Sequence, residues 1–250
     1  MYAYAITIFL SAFLLFQVQP MIARFILPWF GGSPAVWTTC MLFFQVLLLA
    51  GYAYADWSVR KLTTSRQVAA QIGILLLAIV LLPIAPDPSW KPSADRDPTL
   101  WILLLLISAV GVPYLVLATS APLLQAWFAR QFAEMSPYRL YALSNAGSLL
   151  GLVSYPFVVE PTLTLQYQSG FWSALFVLYG LCFAGCGALL LRAGATPTSE
   201  QGLSITQTPG VLHMARVLGR DVIGLLRAVW RMHQAVNRGI IGYGVVIAEK

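Results

Sequence analysis

The chain predicts an all-α fold, a polytopic membrane helix bundle of about six transmembrane helices followed by a C-terminal amphipathic helix. Three observations predict it. Between Met1 and Ala55 the only formal charge is Arg24, and residues 67–86, 98–129, 140–159 and 161–191 contain no Lys, Arg, Asp or Glu. Charged residues make up 10% of the chain, against about 25% in a soluble domain, while hydrophobic residues make up 59%. Several of the uncharged runs reach the ~20 apolar helical residues that cross a hydrocarbon core of ~30 Å.

The first span is read from about Ala3 to Ala23, retained because no Lys or Arg precedes it and no small-residue cleavage site closes it. Gln17, Gln19 and Pro20 interrupt it, and Gly31-Gly32-Ser33-Pro34 then breaks the helix. The second span runs from about Val36 to Ala55, with Trp37 at its start and Tyr52, Tyr54 and Trp57 at its end as interfacial aromatics. A basic loop with Arg60, Lys61 and Arg66 leads to the third span, Val68 to Ile84. Residues 85–99, with Pro86, Pro88, Pro92 and Pro98, read as an aqueous loop.

The fourth span, Leu100 to Leu123, carries Gly111 and Pro113 and should kink there. Residues 124–138, with Trp127, Phe128, Arg130 and Phe132, read as a short interfacial helix. The fifth span is read from Tyr138 to Val159 and the sixth from Gly170 to Leu191, closed by Arg192. Residues 1–192 thus form the membrane domain. An N-in, C-in arrangement places Arg60, Lys61, Arg66, Arg130, Arg139 and Arg192 in the cytoplasm and only Arg24, Lys91 and Arg96 outside, as the positive-inside rule favours.

Residues 193–210, rich in Gly, Ser, Thr, Pro and Gln, read as a flexible linker. In the cytoplasmic tail, 211–250, Arg216, Arg220, Arg227, Arg231 and Arg238 fall within roughly a 60° sector of a helix. Apolar residues from Val211 to Val236 take the other side. This is the pattern of a basic helix lying on an anionic leaflet.

The net charge of +6 and pI near 9.4 suit cytoplasmic loops of a membrane protein, so no nucleic-acid partner is inferred. Both histidines, His213 and His233, lie in the tail, and the three cysteines, Cys40, Cys182 and Cys186, sit in apolar runs without a histidine at zinc spacing. No catalytic, cofactor-binding or metal-binding residue is assigned, and no cofactor. Gly239-Ile-Ile-Gly-Tyr-Gly does not follow a dinucleotide or P-loop order. The chain reads as non-enzymatic.

Polar residues at membrane depth are more informative. Gln17, Gln45 and Asn145 form a candidate intramembrane polar site, since an amide in hydrocarbon needs a hydrogen-bonding partner. Around Gln17-Val-Gln19-Pro20 the choice lies between a partly unwound helix at a substrate path and ordinary bonding between helices. Gly147 and Gly151, at GxxxG spacing, and Gly180 and Ala184 are read as helix-packing positions. Arg24 and Glu160 read as snorkelling side chains at span ends.

The stretch FQVQPMIARFILPWFGGSPAVWTTCMLFFQVLLLAGYAYA resembles the start of bacterial spermidine synthase-like membrane proteins, and YRLYALSNAGSLLGLVSYPFVVEP resembles their fifth span. In that family a region resembling part of a major-facilitator transporter precedes a soluble aminopropyltransferase domain. The resemblance covers about residues 1–192. It implies a bacterial inner-membrane protein related to polyamine synthases. Residues 193–250 supply neither the family's glycine-rich nucleotide loop nor its acidic substrate residues, so no catalytic residue carries over. The resulting expectation is a truncated relative: a non-catalytic membrane module with the bilayer, a soluble aminopropyltransferase-like protein or a second copy as partner. The alternative is a small transporter or transporter half for an amine or another small solute.

Overall fold

In the computed structural model, residues 1–86, 90–91, 98–132 and 138–194 are described. The chain divides into Met1–Ile205 and Thr206–Lys250, and the helices of the bundle all belong to the first unit. Residues 193 and 194 of the expected 193–210 linker continue the last helix, and the rest of it, with the expected basic helix of Arg216, Arg220, Arg227, Arg231 and Arg238, lies outside the described residues.

The helices are α1 (Tyr2–Phe30), α2 (Pro34–Lys61), α3 (Thr64–Val80), α4 (Pro98–Leu106), α5 (Val112–Gln131), α6 (Tyr138–Ser154), α7 (Glu160–Thr162) and α8 (Leu165–Gly194). No strand occurs among the described residues. Two π-helical turns, Ile107–Gly111 and Tyr155–Val159, join α4 to α5 and α6 to α7. Each lies at a proline, Pro113 or Pro156, where the missing N–H and the ring's bulk disturb the regular ladder. The kink expected at Gly111–Pro113 is therefore a widened turn.

The helices outrun the sequence-derived spans. α1 continues through Pro20 and Pro28 to Phe30, so the segment around Gln17 and Gln19 is not unwound. Prolines are tolerated there because neighbouring helices compensate for the lost backbone bond. α2 starts on Ser33, whose Oγ accepts from the Val36 N–H at 3.4 Å, with Pro34 pre-set for the first turn. Gly31, at φ 80°, makes the bend before it.

The separate interfacial helix expected over 124–138 is absent over its described part: the fourth span runs on as one helix to Gln131. Trp127 and Phe128 are fully buried, not interfacial. Trp127 packs on Phe183 with ring centroids 5.2 Å apart, and Phe128 meets Tyr4 at 5.6 Å.

Five helices are long and apolar enough to cross a membrane: Tyr2–Phe30, Pro34–Lys61, Thr99–Gln131, Arg139–Thr162 and Leu165–Ala193. The remaining expected span, the third, corresponds to α3, which has 17 residues, the lower limit for a crossing.

The helices pack around a central pair. α1 packs on α6, α8 and α5; α5 packs on α2, α1 and α3; α3 also meets α8. Exchanging the triplet α1, α2, α3 for the triplet α4/α5, α6, α8 maps α1–α6 onto α5–α2 and α1–α8 onto α5–α3, and maps α1–α5 and α3–α8 onto themselves. The register agrees. α1 and α6 run parallel, Phe9 beside Gly147 and Phe13 beside Gly151. α2 and α5 also run parallel, Phe44 beside Tyr114 and Gly51 beside Ala118. α1 and α5 are antiparallel, Tyr4 beside Gln131 and Gln19 beside Tyr114. A triplet of odd number enters in the opposite sense from the one before it, so the bundle is an inverted repeat in its packing.

Small residues close these interfaces. A Cβ on Gly147 would stand 2.6 Å from the Phe9 carbonyl oxygen, and one on Gly151 2.5 Å from that of Phe13. In the symmetry-related pair, a Cβ on Gly51 would meet the Ala118 Cβ at 2.6 Å. Gly180 faces Leu75 and Gly187 faces Val68, fitting α8 to α3. Ala184 is half-buried on the same helix.

Candidate functional site

The polar side chains inside the bundle sort into pairs that join one helix to another. Gln17, 3% exposed, donates through Nε2 to the Ser154 Oγ at 3.1 Å and so ties α1 to α6. Gln67 receives the Trp127 Nε1–H at 3.1 Å and donates to the Leu62 carbonyl at 2.7 Å. Gln71 donates to the Thr119 Oγ1 at 2.5 Å, while its own Oε1 is buried without a hydrogen-bond donor. Ser120 and Tyr179 share a hydrogen bond between α5 and α8. Tyr155 donates to Gln168 at 2.9 Å, and Trp172 Nε1 donates to the Leu14 carbonyl at 3.0 Å. These are structural bonds, each satisfying groups that hydrocarbon cannot.

One group of polar atoms is arranged differently. Gln19 of α1 donates through Nε2 to the Tyr114 Oη of α5 at 3.1 Å. Next to this pair, Gln45 of α2 is exposed, and together with Met41, Phe44 and Leu48 they line a cleft of about 70 Å³. The rings of Phe44 and Tyr114 lie 5.0 Å apart at 50°, forming its floor. The cleft sits where the central pair α1–α5 meets α2.

The three amides read together from the sequence have different surroundings. Gln45 opens on this cleft, Gln17 is spent on Ser154, and Asn145 is exposed on α6. Gln19 and Tyr114 are the polar groups that reach Gln45's cleft. Gln19 was legible as a polar residue within a span. Tyr114 carried no signal, since one tyrosine in an apolar run does not reveal which neighbour its hydroxyl meets.

Arg24 and Glu160, read as independent snorkelling side chains, meet: Arg24 Nε lies 3.5 Å from the Glu160 Oε1, and its Nη1 donates to the Glu160 carbonyl at 3.2 Å. Both side chains are about 40% exposed, so the pair contributes at most ~1 kcal/mol. Among the described residues no three His, Cys, Asp or Glu side chains gather as metal ligands. Cys186 lies 3.5 Å from the Thr7 Oγ1, an ordinary helix-packing contact.

Fold and interior together define a multi-pass helical membrane protein. No protein-family model, curated protein or solved structure matches the chain.

Proposed function

We propose that this chain is a non-catalytic membrane module, equivalent to the membrane region of the spermidine synthase-like proteins that its GGSPAVW and YALSNAGS stretches resemble. The observation that carries the proposal is the packing. Two helix triplets interlock as an inverted repeat, the design of many transporter-type bundles. The interior is occupied largely by pairwise hydrogen bonds between helices. On this reading the module lies in a bacterial inner membrane and holds or serves a soluble aminopropyltransferase-like protein.

The test is co-purification from native membranes after mild cross-linking. A soluble protein of that class recovered in stoichiometric amount is the expected result; a homogeneous particle containing this chain alone overturns the proposal.

A second reading, a small-solute transporter or transporter half, is favoured by the cleft at Gln19, Gln45 and Tyr114, which lies at the crossing of the repeats. It predicts flux in proteoliposomes that Gln45→Leu reduces at least threefold without lowering thermal stability. Absence of flux across a panel of amines and neutral solutes, with folded protein present, excludes it.

A further inference from the structure

We propose that the cleft of Gln19, Met41, Phe44, Gln45, Leu48 and Tyr114 binds the neutral oxygen-bearing head group, hydroxyl or carbonyl, of a lipid-soluble amphiphile entering sideways from the bilayer. The proposal rests on the same cleft as the transporter reading, not on flux through it.

Depth comes first. Trp37 and Trp57 are 45% and 51% exposed on α2. Twenty residues apart, they are separated along the helix axis by about 30 Å, the thickness of a hydrocarbon core. Tryptophans favour the two interfaces, so this pair brackets the apolar slab. Gln45 then lies about 12 Å inward from the Trp37 level. An exposed amide at that depth, with no hydrogen bond to the rest of the described residues, costs free energy until a polar partner arrives.

Charge selects the class of partner. None of the six lining residues is ionisable near neutral pH. Along the three helices that supply them, the nearest formal charges are Arg24, five residues beyond Gln19 and engaged with Glu160, then Asp56 and Arg130 at greater distance. A protonated amine or a phosphate would sit at this depth without a counter-ion, which the low dielectric penalises heavily. The head group is therefore neutral.

Hydrogen-bond polarity fits an oxygen. The Tyr114 hydroxyl accepts from Gln19 and keeps its own hydrogen to donate, and Gln45 Nε2 is a second donor. Gln19 Oε1 remains as an acceptor for a hydroxyl hydrogen. The volume of about 70 Å³ admits a head group the size of two waters, at ~30 Å³ each. Met41 is 57% exposed at the mouth, so the apolar remainder of the ligand lies along the outside of α2.

The experiment uses the full chain in phosphatidylcholine nanodiscs and two photoreactive diazirine probes of equal chain length, a fatty alcohol and the corresponding fatty amine. The alcohol should label residues 41–48 saturably and at least fivefold more than the amine. Gln45→Leu, at an exposed position, and Tyr114→Phe, which keeps the ring, should each lower that labelling about fivefold, the worth of one hydrogen bond. Equal labelling by both probes, non-saturable labelling, or indifference to Gln45→Leu in a variant of unchanged melting temperature overturns the site. Saturable alcohol labelling without any solute flux would remove the transport reading and leave this one standing. Amine flux with no saturable labelling would do the reverse.

Discussion

At the scale of single residues, the glycines and glutamines divide into those that the bundle needs and those it merely contains. Gly151 has the Phe13 backbone where a side chain would go, and backbone cannot step aside. Gly151→Val should therefore destabilise the protein by about 1–3 kcal/mol as α6 is forced off α1. Gly73 in α3 has nothing within 4 Å of the corresponding point, so Gly73→Ala should raise stability, by up to ~1 kcal/mol, through helix propensity. Thermal unfolding in detergent, followed by exposure of the buried Cys40 and Cys186 thiols to a fluorogenic maleimide, reads both. The glutamines give a second contrast. Gln67→Leu strands the buried Trp127 N–H and removes a bond to Leu62, and should cost about 1–3 kcal/mol. Gln71→Leu removes a 2.5 Å bond to Thr119 but also a buried Oε1 that has no donor, so its cost should stay below ~1 kcal/mol. Equal losses from the two would show that Gln71 Oε1 finds a partner in the membrane.

At the scale of helices, the spans were legible and their ends were not. Charge-free runs reveal where hydrocarbon can surround a helix, but a helix stops where its backbone bonds stop, and that depends on neighbours. Trp127 and Phe128 look interfacial in sequence because Arg130 follows at once; they are buried because Tyr4, Phe183 and Gln67 stand opposite them. Pro20 looks like a break, yet α1 passes through it between α5 and α6. The GxxxG pair Gly147–Gly151 could be read as a packing motif without its partner, whereas Gly51, the matching contact on α2, had no companion glycine to announce it. The candidate site was half legible for the same reason: amides stand out in apolar runs, but whether each is spent on a neighbour is a tertiary fact. Gln17 is spent and Gln45 is not. Spin labels placed along α2 should locate that difference, with position 45 about 12 Å below the level of Trp37. Collision with oxygen should exceed collision with a water-soluble nickel chelate there, and the reverse ratio would place Gln45 in water.

At the scale of the whole bundle, contacts at its two ends lead to a testable prediction of crossing number and orientation. Tyr4 bonds Gln131, Arg130 bonds Thr64 and the Val59 carbonyl, and Val68 meets Gly187. The start of α1, the α2–α3 link, the end of α5 and the end of α8 therefore share one end, and α6, parallel to α1, starts there too. At the opposite end Arg24 pairs with Glu160, and Ser169 donates to the Ile84 carbonyl at 2.7 Å. Between Gln67 and Ile84, α3 and the segment after it traverse the same distance as α8 does in reverse, although α3 alone has only 17 residues. On this register α3 would make a sixth crossing beside the five long apolar helices. Arg60, Lys61, Arg66, Arg130, Arg139 and Arg192 all gather at the first end, which the positive-inside rule predicts to be cytoplasmic. In a background with Cys40, Cys182 and Cys186 replaced by Ala, an impermeant maleimide applied to intact cells should label Thr164→Cys and Ala85→Cys. Thr63→Cys should react only after permeabilisation. All three positions are exposed, so access is set by the membrane and not by packing. If Ala85→Cys instead behaves like Thr63→Cys, α3 turns back within the bilayer and the chain crosses five times. If the whole pattern is reversed, the orientation is inverted and the arginines lie outside.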